Sequence, residues 1–405
     1  MVRLPGPLRP YFPYLKPAYT LATRLVAPAS QQVSRLCGGY LPIGVVQTME
    51  EAAESTGGRC CVARPSEVVT RPVPPGFPEP DQAFEQNRRE VVPQVAVAEL
   101  PDGRVLGPHS AVITGAGDLL QEVSFYFGTT RPREHPLFLH PFPLPPLEVP
   151  GRLGVLATRG DVNYFHFMID VLPRLGVLAM CPEILPPTRW YVPAQTRFQR
   201  ELLDRFGISA DSRIDSTKVR HVRAECLVVP APPSMRLVNP PWLVEFLRER
   251  LLSTPDSRVP GRSIYVTRGS GANNRRIINE PQLVDMLSAR GFRVIDPGQM
   301  SVAEQIQAFA EASVIVSPHG AALSNLVFAS PGSWVVELFP AGGVVLDFWK
   351  LASGVAGLEY RYLNGRGGPS ARGLAQLLVS DIDVDLDALS SLLDEVQGQG
   401  ATLPG

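Results

Sequence analysis

At 405 residues the chain exceeds what one compact core of ordinary size accommodates, so two domains and an appendage are expected. A net charge of -1 and a charged fraction of 19% give no global electrostatic reason to bind nucleic acid or an anionic membrane, so binding has to come from local sites. The five cysteines (Cys37, Cys60, Cys61, Cys181, Cys226) are odd in number, scattered and without CxxC spacing. They read as reduced thiols of a cytoplasmic, bacterial protein. No stretch offers the roughly 20 apolar residues of a bilayer span, and the Pro-rich start lacks the apolar core of a signal peptide.

Residues 1–90 are rich in Pro and small residues with no sustained period, which predicts an irregular extension. Its basic, aromatic-containing start (Arg3, Arg9, Tyr11, Tyr14, Lys16, Tyr19, Arg24) suits a membrane surface or a partner, against the plainer reading of a tail lying on the core. Residues 91–252 form the next expected domain. Short apolar runs separated by Pro101-Asp102-Gly103 and Gly115-Ala116-Gly117 predict hairpins of a small β meander. After a Pro-rich connector come strand 154–158, a helix from about Val162, strand 190–192, helix 196–206 closed by Gly207, strand 226–229 and helix 240–252 behind Asn239 and Pro240. Residues 253–262 read as a linker.

A second βα layer then fills residues 263–380, followed by a helix and tail over 381–405. Strands 264–267, 292–295, 314–317 and 334–338 alternate with helices 281–290 and 302–312, the latter announced by the Ser301-x-x-Glu304 capping box. A short helix follows His319-Gly320-Ala321.

In this half the unusual polar residues stand where strands end: Arg268, Asp296, His319 and Glu337, with Arg275, Arg276, Asn273, Asn274 and Asn279 in one loop. In an open parallel sheet the ligand crevice lies at those ends, and guanidiniums beside a helix N-terminus suit a nucleotide diphosphate. A carboxylate such as Glu337 is then the acceptor for ribose hydroxyls. In the first half, His166 and Asp170 are four apart and share one face of an otherwise apolar helix. That spacing allows a general base for an acceptor hydroxyl, and equally a buried histidine satisfied by its own aspartate. The run Asp381, Asp383, Asp385, Asp387 has Asp-x-Asp spacing but begins a helix, so capping is preferred over a metal site. No Gly-x-Gly-x-x-Gly follows a strand, which argues against an NAD-dependent oxidoreductase.

With these residues in view the chain resembles glycosyltransferase family 61. Three motifs carry the resemblance: Asn163, His166, Asp170 followed by Leu172-Pro173-Arg174; Arg268, then Arg275-Arg276-Ile277 with Asn279-Glu280; and His319-Gly320-Ala321 followed by Asn325 and Glu337. The resemblance implies a GT-B type α/β fold, in which two Rossmann-like domains face a cleft. It implies an inverting enzyme without metal or other cofactor, whose partners are a nucleotide diphosphate sugar and a hydroxyl of a glycan, capsular or other surface polysaccharide. Arg268, Arg275 and Arg276 would hold the pyrophosphate, with Asn279 and Asn325 nearby. His319, Gly320 and Ala321 would line the phosphate turn, and Glu337 would sit by the ribose. Asp170 or His166 would be the base, with Asn163 and Arg174 on the acceptor side. A sugar nucleotide epimerase and a non-catalytic scaffold of a polysaccharide assembly complex are the alternatives.

Overall fold

Continuous aliphatic runs make the buried strands of two main sheets, and the computed structural model describes residues 12–76, 81–124, 126, 131–233, 237–252, 261–269, 275–367 and 377–400, without the side chains of 12–16 and 398–400. Arg3, Arg9, Tyr11, Asn273, Asn274 and most of the expected linker lie outside the described residues, and the side chains of Tyr14 and Lys16 outside the described side chains. The chain divides into two units, Pro13–Glu67 with Pro93–Met235, and Met1–Phe12 with Val68–Val92 and Arg236–Gly405.

The first unit holds a ten-stranded sheet. Its parallel part runs His221–Pro230, Leu147–Val155, Arg189–Val192, Arg213–Asp215 in spatial order. Across the other edge of His221–Pro230 lie Val95–Pro101 and Arg104–Leu106, end to end and antiparallel to it. The hairpin expected at Pro101-Asp102-Gly103 is therefore corrected: the two strands continue along one partner in unbroken register through a local kink at Asp102. Asp102 has φ 54°, its N–H donates to Glu225 O at 3.0 Å, and the Ala224 N–H donates to Gly103 O at 3.0 Å, so both strands stay on one partner. The second expected hairpin forms, with Ile113 opposite Leu119 and Gly117 at φ 92° in the turn.

The irregular extension expected for residues 1–90 is also corrected. Helix Phe12–Leu36, strand Gly44–Val46, helix Met49–Thr56 and strand Arg59–Arg64 occupy most of its described part. The first helix escapes a periodicity reading because it contains Pro17 and Pro28 and packs small residues, Thr20, Thr23, Ala27, Ser30 and Ser34, against the unit. The Thr20 and Thr23 hydroxyls donate to Pro17 O and Tyr19 O within the helix, both at 2.9 Å, which makes their burial tolerable. A disulfide joins Cys61 to Cys181, correcting the expectation that these two are reduced, while Cys37, Cys60 and Cys226 are free thiols.

The second unit is a five-stranded parallel sheet in the spatial order Arg293–Ile295, Arg262–Val266, Ala312–Pro318, Trp334–Phe339, Glu359–Asn364. The chain thus winds outward in both directions from a switch point between Arg262–Val266 and Ala312–Pro318. Helices Glu280–Ala289 and Leu386–Gly400 cover one face, where Leu283, Leu287, Leu389 and Leu393 meet Val314, Val316 and Val336. Ser301 and Glu304 form the expected capping box on helix Val302–Ala310.

Helix Pro241–Leu251 starts one residue later than expected, with Pro240 as N-cap. It packs in this unit, where the Arg248 guanidinium donates to Val327 O at 2.6 Å and Ala329 O at 2.8 Å. The chain crosses between units at 12–13, 67–68, 92–93 and 235–236, and the expected linker 253–262 lies within the second unit. Residues 68–92 return to the same unit. Phe84 is fully buried, edge-on to Trp349 with ring centres 5.2 Å apart and 4.8 Å from the Tyr362 ring. Glu90 pairs with Arg71 at 2.9 Å and Lys350 at 2.6 Å.

Candidate functional site

In the second unit, Arg268 follows strand Arg262–Val266 and His319 follows strand Ala312–Pro318, so both stand at the switch point. The Arg268 guanidinium donates to His319 O. Arg275 donates to the same oxygen at 3.1 Å and to Leu377 O at 2.8 Å. Neither arginine makes an ion pair among the described residues, and the Nε–H of each is buried without a hydrogen-bond partner there. Burial and the neighbouring Arg268 bring Arg275 down to about 9. Gly320 is extended, and a Cβ there would come within 2.7 Å of Arg268 Nη1, so the missing side chain leaves room for the guanidinium over the turn.

Behind this turn, His319 Nδ1 lies 2.6 Å from Glu337 Oε1, and the Tyr360 hydroxyl donates to Glu337 Oε2 at 2.6 Å. Glu337 has no exposed surface. Burial drives its carboxyl well above the usual range, offset in part by the Tyr360 bond, and burial with Arg275 and Arg268 drives the His319 imidazole well down. Both oxygens expected to meet a ribose are thus taken up inside the protein, and Glu337 acts on the site through His319.

The other donor-side residues separate into exposed and structural ones. Arg276 is exposed, and its N–H donates to Asp381 Oδ1 at 2.8 Å. The Asn279 amide donates to Val384 O at 2.8 Å and accepts from the Val384 N–H at 3.0 Å, fastening the segment before the last helix. Asn325 is buried and donates to Gln305 Oε1 and Ala322 O, each at 3.0 Å. Ala321 opens the 3-10 helix Ala321–Phe328. Asp385 accepts from the Ala388 N–H at 3.0 Å, the expected cap of helix Leu386–Gly400. Glu280, quoted in the second motif but given no role there, accepts through Oε1 from the Tyr265 hydroxyl at 2.9 Å and the Thr267 hydroxyl at 2.6 Å.

In the first unit the expected helix is a single α-turn, Tyr164–His166, running into a π-helical turn, Phe167–Val171. Such turns recur at functional sites because one extra residue per turn re-aims side chains. His166 Nδ1 lies 2.7 Å from Asp170 Oδ2, with the ring against Gly160, where φ is 83° and a Cβ would come within 2.9 Å of it. Asn163 caps the turn, accepting from the Phe165 N–H at 2.9 Å. Arg174, almost wholly buried, donates to Asp170 O at 2.9 Å and Val155 O at 3.3 Å, so it braces the backbone behind the pair.

Two buried charges beside this pair went unremarked in the sequence. Asp161, which accepts from the Thr158 N–H at 3.0 Å, is pushed up to about 7 by burial, against the pull of that bond and of Arg174, Arg220 and His166. Burial lowers Arg159 to about 9, while Asp170 and Tyr126 act to raise it. The signal was Asp161 itself, which opens the motif segment ahead of Asn163.

Comparison with known proteins bears on both groups. Residues 164–336 match the family described as Glycosyltransferase 61, a span that begins one residue after Asn163 and ends one before Glu337. A segment of 108 residues is 31% identical to a protein O-linked-mannose beta-1,4-N-acetylglucosaminyltransferase 2 of Tetraodon nigroviridis, covering 25% of this chain and 18% of that protein. A segment of 140 residues is 32% identical to the beta-1,2-xylosyltransferase RCN11 of Oryza sativa subsp. japonica, covering 30% of this chain and 25% of that protein. The matches therefore span about a fifth to a quarter of those relatives' own length. The resemblance read from the three motifs is borne out: residues 164–336 match the glycosyltransferase 61 family, and the relatives found over part of the chain are glycosyltransferases.

Proposed function

We propose that the chain is an inverting glycosyltransferase that moves a sugar from a nucleotide diphosphate sugar to a hydroxyl of a glycan. The observation that carries this reading is the pair Arg268 and Arg275, two guanidiniums converging on His319 O at the sheet's switch point with no ion pair among the described residues. The fully buried carboxyl nearby, Glu337, is held toward its neutral form by burial, and Glu280 and Asp381 act on the two guanidiniums without forming an ion pair to either among the described residues. A diphosphate supplies the pairing charge, and exposed Arg276 adds a third guanidinium without disturbing the fold.

In the reaction, the acceptor oxygen forms a bond to the anomeric carbon as the bond from that carbon to the diphosphate oxygen breaks on the opposite face. The acceptor proton passes to His166 or Asp170, whose hydrogen bond stabilises the protonated base. The departing diphosphate is neutralised by the arginines and the N–H groups after Gly320, so we propose that no metal is needed. The two units would then correspond to the two Rossmann-like halves of a GT-B enzyme. The names of the relatives direct the donor search to N-acetylglucosamine and xylose nucleotides.

The test is nucleotide binding by calorimetry with and without chelator. Arg276→Ala is expected to weaken binding of the diphosphate nucleotide at least about tenfold with an unchanged melting temperature, the loss of one charge-assisted contact. Unchanged affinity removes the diphosphate assignment, and binding lost in chelator but restored by Mg²⁺ removes the metal-free mechanism.

A further inference from the structure

Helix Phe12–Leu36 is turned the opposite way from an ordinary surface helix. Its packed side carries Thr20, Thr23, Ala27, Ser30 and Ser34, while Leu21, Leu25, Val26, Val33 and Leu36 face solvent, Leu25 at 70% and Leu36 at 79% exposure. With 3.6 residues per turn these five and exposed Tyr19 fall within an arc of about 160°. Ile43, 67% exposed, lies just beyond the helix in sequence. A solvated helix gains nothing from such a face, so something apolar covers it.

Charge says what that is. The first 49 residues contain Arg3, Arg9, Lys16, Arg24 and Arg35 and no aspartate or glutamate; Glu50 is the first carboxylate of the chain. Arg24, Arg131 and Arg133 also line a groove of about 500 Å³ between the helix and residues 43–45. Glu134 sits at its edge, 3.8 Å from Arg24 and accepting from the Arg131 N–H at 3.2 Å, while Arg131 and Arg133 form no ion pair among the described residues. Two copies meeting through this face would bring cations against cations, because a two-fold contact pairs a surface with itself. An anionic bilayer offers apolar depth and phosphate together.

We propose that this surface lies on an anionic lipid bilayer, with the helix in the plane of the interface, the leucine and valine side chains at the headgroup and acyl boundary, and the guanidiniums at phosphate level. Among the described residues no helix is long and apolar enough to cross a membrane, so the helix rests on the bilayer.

The experiment is flotation of the full chain with vesicles of phosphatidylcholine, with and without phosphatidylglycerol. Binding is expected only to the anionic vesicles and is expected to weaken with salt. Leu25→Glu with Leu36→Glu is expected to abolish it at unchanged melting temperature, since both side chains are exposed. Arg131→Glu with Arg133→Glu is expected to weaken it at least about tenfold. Absence of wild-type binding to anionic vesicles overturns the proposal, as does binding that both double variants retain. A dimer seen by light scattering that the leucine variant splits, with no vesicle binding, assigns the face to a second copy and overturns it as well.

Discussion

A protonated carboxyl is nearly isosteric with an amide, and burial holds Glu337 toward that form. Glu337→Gln keeps a partner for His319 Nδ1 and for the Tyr360 hydroxyl, so urea unfolding should show a loss below about 1 kcal/mol. Glu337→Ala strands both groups and should cost about 2–5 kcal/mol. Asp161 gives a pH signature. Its folded value, about 7, lies above the ordinary 3.8, so its contribution to stability is full below about pH 4 and is lost as pH rises toward 7. Asp161→Asn should remove that slope from a series of melting curves recorded between those limits. At this scale the sequence showed the i, i+4 meeting of His166 and Asp170, because helical geometry alone brings them together. The partnership of Glu337 with Tyr360 was hidden, because it depends on where a later strand docks.

The turn after strand Ala312–Pro318 works through the absence of a side chain at residue 320. Gly320→Ala places a methyl against the movable end of Arg268, so nucleotide affinity should fall about tenfold. The melting temperature should change little, because the clash lies with a flexible tip; an equal loss of both would show the turn to be structural only. Four strands of the second sheet are legible because each centres on an apolar run closed by a polar residue, whereas the fifth, Glu359–Asn364, alternates polar and aromatic residues and gives no such signal. The Asp102-Gly103 signal reads as a hairpin because the same left-handed turn chemistry also serves a kink within a strand that keeps its partner, and only strand pairing distinguishes them. Helix Phe12–Leu36 is hidden in the sequence for a different reason: Pro17 and Pro28 stand within it, and its packed side is made of small and hydroxyl residues.

Across the whole chain, the bond between Cys61 and Cys181 spans a sequence separation of 120 residues. Closing so long a loop should stabilise the first unit by about 2–5 kcal/mol, to be read as the difference between oxidised and reduced protein in denaturant. Peptide mapping without reductant should recover the 61–181 pair, and alkylation of both thiols in native protein would exclude it. Such bonds persist in oxidising compartments, so cytoplasmic residence does not follow from an odd cysteine count.

The second unit is assembled from segments far apart in sequence, and this has a consequence for biosynthesis. The Asp81 N–H meets the Tyr362 hydroxyl across 281 residues, and Phe84 waits equally long for Tyr362 and Trp349. On a ribosome the segment around Phe84 emerges long before Trp349 and Tyr362 and has no native aromatic bed until they follow. Cleavage of the nascent chain between the early segment and the late strands would leave each half exposing what the other covers, so quality control has a long interval in which to find it.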